Sequence, residues 1–135
     1  KVEADIISSP AEDYCTTEIP HFRKGGYVIA FSSDRMGDGD EDLGRKLMLN
    51  FVKAVRDLDL LPGSMVFYNS GVLLGIEGSE TSYHLELISR MGVKLFFCAT
   101  CIEHYRPGKI TGAAILSNMF EIAQNLASAT NVIKP

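Results

Sequence analysis

Tyr27-Val28-Ile29-Ala30-Phe31-Ser32, followed by Ser33-Asp34-Arg35-Met36-Gly37-Asp38-Gly39 and then Asp40-Glu41-Asp42-Leu43, is the stretch on which the fold turns. The first string is an unbroken β-prone apolar run, as a strand buried on both faces requires, and such strands belong to parallel sheets. The second is a loop. In the third, Asp40 is a good N-cap and Glu41 and Asp42 suit the positive end of a helix dipole. Leu43, Leu47, Phe51, Val55 and Leu58 then form one apolar stripe at helical spacing. Further along, Pro62-Gly63 makes a turn, Met65 to Tyr68 a second strand, and Ser79 opens a second helix with Leu87, Ile88 and Met91 on its stripe. Gly92 closes that helix. Val93 to Cys98 reads as a third strand, Thr111 to Ile115 as a weaker fourth, and Asn131 to Lys134 as a short last one. Between the last two, Leu116, Met119, Phe120, Ala123 and Leu126 recur at helical spacing. Strands alternating with helices predict an α/β fold: a mostly parallel five-stranded open sheet sandwiched by helices.

Upstream of this pattern, Ser8-Ser9-Pro10, Glu12-Asp13, Pro20 and Gly25-Gly26 interrupt every apolar cluster, so residues 1–26 read as a linker or arm and 27–135 as the domain. The 135 residues suffice for one domain with its own core, which excludes a disulfide miniprotein. With 13 Lys and Arg against 17 Asp and Glu and no basic run, the chain offers no footprint for a phosphate backbone, so nucleic acid is not an expected partner. The longest apolar stretch, Leu95 to Ile102, is far short of the roughly 20 residues that span a bilayer. Lys1 to Asp5 leads into no signal-like apolar region. The expectation is a soluble, cytoplasmic chain without a membrane partner. Because it starts at Lys1 rather than Met, residues ahead of it are expected.

In parallel α/β sheets, ligands bind beyond the carboxyl ends of the strands. The sequence places there Asp34 to Gly39, Asn69-Ser70-Gly71, Cys98-Ala99-Thr100-Cys101 and Ser117-Asn118, which should converge on one edge. The Cys-x-x-Cys is the chemically richest of these segments. Cys98 should end the third strand and Cys101 lie three residues past it, where a short helix through Tyr105 would aim N–H groups at its sulfur. His104, Arg106 and Lys109 are close in sequence and add positive charge. A thiolate so placed attacks sulfane sulfur and holds it as a persulfide, or condenses with Cys98 to a disulfide. The plainer reading makes Cys98 a small core residue and Cys101 its inert neighbour.

Other chemistries compete. Cys98, Cys101 and His104 follow C-x2-C-x2-H, but a tetrahedral zinc needs a fourth ligand from His84, His21, Cys15 or water, and no second Cys pair exists. Met36 to Asp40 has the context of a phosphate cradle but lacks the Walker lysine and the dinucleotide fingerprint, and its acidic residues repel phosphate. Neither a metal nor a cofactor is therefore expected. Asp38 and Gly39 remain a candidate wall of the cysteine pocket. Asn69 and Gly71 serve equally as substrate contacts or as ordinary turn residues. Asn118 reads more readily as a helix cap than as a ligand contact. Tyr68 and Tyr105 read as packing residues, and His84 as a surface or hydrogen-bonded side chain. No serine sits in a nucleophile elbow and no carboxylate pair suits acid–base work.

Taken together, Asp34-Arg35-Met36-Gly37-Asp38-Gly39-Asp40, Phe67-Tyr68-Asn69-Ser70-Gly71-Val72, Glu77-Gly78-Ser79, Cys98-Ala99-Thr100-Cys101 and Asn118-Met119 resemble the C-terminal DsrE-like domain of YedF-type proteins, which are described as sulfurtransferase-like and associated with selenium metabolism. The resemblance runs from about Tyr27 to Pro135. It implies a DsrE-like sandwich, a cytosolic location, homo-oligomerisation, and a sulfur- or selenium-relay role with a Cys after the third strand. It also implies sulfur or selenium donor and acceptor proteins as partners, and a TusA-like domain upstream in the full-length chain. Ala99 stands where the family's cysteine loop usually carries Gly.

The expected function is accordingly a sulfur or selenium relay. Cys101 and Cys98 are its catalytic pair, and Asp38, Gly39, Asn69, Gly71 and Asn118 its substrate-binding residues. One alternative is a non-catalytic binding domain that assembles with itself, for which apolar residues beyond one small core, Val72-Leu73-Leu74 included, leave room for a subunit interface. Another is a thiol-disulfide oxidoreductase, which requires the two Cys to be close enough to bridge.

Overall fold

The structure, a computed structural model, describes residues 23–135. Its elements run β1 (Val28–Phe31), α1 (Glu41–Arg56), β2 (Ser64–Phe67), a 3-10 segment (Asn69–Gly75), α2 (Glu80–Arg90), β3 (Lys94–Cys98), α3 (Ala99–Tyr105), β4 (Ala114–Ser117), α4 (Met119–Ser128) and β5 (Val132–Ile133). The five strands form one sheet in the order β4-β3-β2-β1-β5, and every pairing is parallel. The expected α/β sheet is the observed one.

The handedness of crossovers decides where each helix lies. From β1 through β4 the chain steps in one direction, so right-handed connections put α1 and α2 on the same face. There Met48, Val52 and Val55 of α1 and Leu85 and Ile88 of α2 pack on Ile29, Phe31, Met65, Phe67, Leu95 and Phe97. The step from β4 back to β5 reverses direction, which sends α4 to the opposite face. Its Ile122 packs there on Val28, Ala30, Val66 and Cys98. Strand alternation assigns these two sets without exception.

Capping is local and legible. Asp40 accepts from the Leu43 N–H at 2.9 Å, Ser79 from Ser82 at 3.1 Å, and Asn118 from Glu121 at 2.9 Å. Gly92, at φ 98°, ends α2 in the left-handed conformation. Phe31, Phe67 and Phe97 are register partners on adjacent strands, and their rings stack with centroids 4.8 and 4.2 Å apart. This ladder lies at the carboxyl end of the sheet, beneath the site.

Several sequence expectations are corrected. Leu43 and Leu47 are exposed and Leu58 lies beyond the end of α1; the buried face is Gly44, Met48, Val52 and Val55. The reason is Gly44, where a Cβ would stand 3.1 Å from the Arg35 side chain and 3.3 Å from the Met36 carbonyl. Backbone contact with that loop, including Met36 N–H donating to the Gly44 carbonyl at 3.0 Å, fixes the roll of the helix. Val72 and Leu74 are buried in the core rather than presented as a surface. A run of exposed apolar residues lies instead at Ile115, Leu116, Met119 and Phe120, of which Ile115 and Leu116 belong to β4; Ile122 is the buried residue of α4. The fourth strand starts at Ala114, three residues later than Thr111, whose side chain is buried and donates to Glu86 at 2.7 Å.

Of the predicted arm, residues 1–22 lie outside the described residues. Residues 23–26 are bonded to the domain: Leu61 donates to Arg23 at 2.8 Å and Gly25 to Leu61 at 2.7 Å.

Candidate functional site

Because all five strands are parallel, their carboxyl ends share one edge, and the segments that follow β2, β3 and β4 meet there. They form an open cavity of about 380 Å3 lined by Tyr68, Asn69, Thr100, Cys101, His104, Tyr105 and Met119. Cys98 ends β3 and is buried, 3% exposed. Cys101 is the third residue of α3, half-buried, with its side chain in the cavity wall. Neither is in a disulfide.

The hydrogen bonding differs from the sequence expectation in a specific way. The donor to the Cys101 sulfur comes from the loop after β2: the Asn69 backbone N–H reaches Sγ at 3.0 Å. Asn69 is held at φ 52°, a left-handed conformation that Asn tolerates better than most residues. Its side-chain Oδ1 accepts from the Tyr105 hydroxyl at 2.8 Å, so Tyr105, Asn69 and Cys101 form one connected chain.

Burial pushes the Cys101 thiol above its ordinary pKa, and the adjacent Cys98 thiol adds to the rise, while the Asn69 N–H works against both. The resting group is therefore a thiol with an N–H already placed to stabilise the anion, not the standing thiolate expected from helix position. Lys109, one of the expected cations, pairs with Glu77 at 3.4 Å.

Of the sequence candidates, Cys98, Cys101 and Asn69 come together. Asn118 caps α4 immediately before the cavity residue Met119. Gly71 lies under the site: a Cβ there would stand 2.1 Å from the Phe31 carbonyl oxygen, so its need is close approach to β1. Asp38 and Gly39 are exposed and outside the cavity wall, although their loop is joined to the β2 exit by Asp34 N–H donating to Ser70 Oγ at 3.4 Å. Among the described residues no three His, Cys, Asp or Glu side chains are disposed to hold a metal ion. His21 and Cys15, considered as zinc ligands, lie outside the described residues, and His84 bonds Arg56 at 3.1 Å.

Tyr68, Tyr105 and Met119 are wall residues to which sequence reading assigned no role in the site. Tyr105 follows Cys101 by four positions, which puts both on one face of α3. That spacing was the available signal.

No family model matches the sequence, and no curated protein matches it. Solved structures do. The ychN protein from E. coli superposes with a TM-score of 0.54 at 18% identity, covering 84% of this chain and 99% of that one. A protein of unknown function from Methanobacterium thermoautotrophicum, MTH1491, superposes with a TM-score of 0.59 at 17% identity and the same two coverages. The fold is DsrE-like. At these identities the likeness concerns architecture, and the chemistry has to be argued from the cavity.

Proposed function

We propose that this domain is a sulfur relay in which Cys101 carries the transferred sulfur as a persulfide. The observation that carries the reading is a half-buried thiol in the wall of a cavity at the carboxyl edge of a parallel sheet, with a backbone N–H on its sulfur. In the loading step the Cys101 thiolate attacks the outer sulfur of a hydropersulfide donor R–S–SH. A bond forms from Sγ to that sulfur, the donor S–S bond breaks, and R–S− leaves with the electron pair and takes up the proton that Cys101 released. The Asn69 N–H stabilises the anion on Sγ before attack. An acceptor thiolate then removes the outer sulfur. Alternatively the Cys98 thiolate attacks Sγ of the persulfide, closing a Cys98–Cys101 disulfide and expelling HS−, which makes Cys98 the resolving thiol.

The YedF-type resemblance extends this reading to selenium, to sulfur- or selenium-carrying partner proteins, to a TusA-like domain upstream, and to a cytoplasmic site of action. Among the described residues no helix is long and apolar enough to cross a membrane. Asn118 enters the reading as the cap of the helix whose Met119 lines the cavity, and Gly71 as support for Asn69; Asp38 and Gly39, outside the cavity wall, are given no role in it.

Intact mass spectrometry, with and without an organic hydropersulfide, tests the relay. The expected result is a reducible gain of one sulfur that persists in Cys98→Ser and vanishes in Cys101→Ser. A gain independent of Cys101 would remove it from the role.

A second reading, self-assembly through an apolar surface, is supported by the exposed strip Ile115, Leu116, Met119 and Phe120. It is compatible with the first and has its own test in the oligomeric state.

A further inference from the structure

The geometry points to Tyr105 as a positioning residue that acts on the Cys101 thiol through Asn69; this deepens the relay reading and rests on it for its purpose, not for its test. The bond from Asn69 N–H to Sγ is made with residue 69 at φ 52°. A left-handed conformation is unfavourable for a residue with a Cβ, so something has to hold it there. Two constraints are visible. Gly71, two residues on, is pressed against the Phe31 carbonyl, and the Gly71 N–H donates to the Tyr68 carbonyl at 3.0 Å, which pins the backbone on either side of Asn69. The Tyr105 hydroxyl holds the Asn69 side chain itself at 2.8 Å.

The second constraint comes from the same helix as the thiol. Cys101 and Tyr105 are four residues apart on α3, so one face of that helix presents the sulfur to the Asn69 backbone and the phenol to the Asn69 side chain. Asn69 is held between them. This arrangement aligns the N–H with the position where negative charge develops when the thiol ionises.

Among the described residues, the titratable groups facing Cys101 are Cys98 from β3, Tyr68 from the β2 exit, and His104 and Tyr105 from α3, and no Lys, Arg, Asp or Glu lines the cavity. The Asn69 N–H is, among the described residues, the contact that favours the anion against the effect of burial. Loosening it should move the thiol in a measurable direction.

The pH profile of alkylation of Cys101 by iodoacetamide, in a Cys98→Ser background and without any sulfur donor, reads this directly. Tyr105→Phe removes only the hydroxyl. Its expected effect is a rise of the midpoint by about half a unit, with alkylation below the midpoint slowed about two- to threefold. Asn69→Gly retains the backbone N–H and the left-handed conformation but removes the side chain on which Tyr105 acts. Tyr105→Phe should then produce no further shift in the Asn69→Gly background. An unchanged midpoint in Tyr105→Phe, or the same shift in both backgrounds, would overturn the proposal and leave Tyr105 as a wall residue only. The Asn69 amide proton, followed by NMR while Cys101 titrates, checks the mechanism independently: its shift should track the thiol in the wild type and respond less in Tyr105→Phe. Because no donor is used, failure here is distinct from failure of persulfide loading.

Discussion

Gly71 shows how much of the site is set by a single missing side chain. An added Cβ would stand 2.1 Å from the Phe31 oxygen and 2.8 Å from its carbonyl carbon, both main-chain atoms of a buried strand that pairs on either side. Neither can move without shifting the sheet. Gly71→Ala is therefore expected to cost about 3 kcal/mol, at the upper end for overpacking, read as a lower urea midpoint at unchanged slope. An effect under about 0.5 kcal/mol would mean that the 3-10 segment lifts off β1 with little resistance. The sequence revealed a glycine in a turn string, but not which backbone it touches, because that contact joins segments forty residues apart. Asn69 was legible in the same partial way. Its place after a strand was readable, whereas the use of its N–H rather than its side chain toward sulfur depends on a dihedral angle. Cys98 and Cys101 were the most readable, because their chemistry and spacing are local.

Elements were legible where a signal is written in adjacent residues, and less so where neighbouring elements choose between faces. The caps Asp40, Ser79 and Asn118 and the terminator Gly92 stand where expected. The α1 stripe did not, because apolar residues occupy two adjacent rows and only contact at Gly44 selects between them. One consequence of the resulting roll is the contact between α1 and α2, where Arg56 Nη1 approaches His84 Nδ1 at 3.1 Å and Lys53 meets Glu80 at 3.3 Å. Burial lowers the His84 pKa, and the charges of Arg56 and Lys53 lower it further against the opposing pull of Glu80. A histidine whose folded value lies below its unfolded one binds fewer protons when folded. Its contribution to stability is thus present above the unfolded value of about 6.5 and is lost as pH falls through the folded one. His84→Gln should flatten the fall in urea midpoint between about pH 7.5 and 5.5 relative to wild type. Parallel curves for the two proteins would assign the acid sensitivity elsewhere.

At the scale of the whole molecule, the order β4-β3-β2-β1-β5 gives α1 and α2 to one face and α4 to the other. It also leaves β4 as an edge strand. Alternation of strands and helices was enough to predict the sheet, but which apolar residues remain outside depends on strand order, and so the exposed surface was misplaced at Val72 to Leu74. The actual strip brings together Ile115 and Leu116 of the edge strand with Met119 and Phe120 at the start of α4; Phe120 is 73% and Leu116 65% exposed. Single exposed apolar residues need no explanation, but four within six positions, two on the edge strand and two at the start of α4, form the kind of patch that marks an interface. Self-association through this strip predicts that the wild-type domain sediments as an oligomer. Phe120→Glu and Leu116→Glu should each shift it toward monomer with little change in the monomer's own stability, since neither side chain packs in the core. Met119 belongs both to the strip and to the Cys101 cavity wall, so association would also narrow access to the thiol. Iodoacetamide should then alkylate Cys101 faster in the monomeric variants than in the wild type. If the variants sediment as the wild type does, the strip is not the contact between copies.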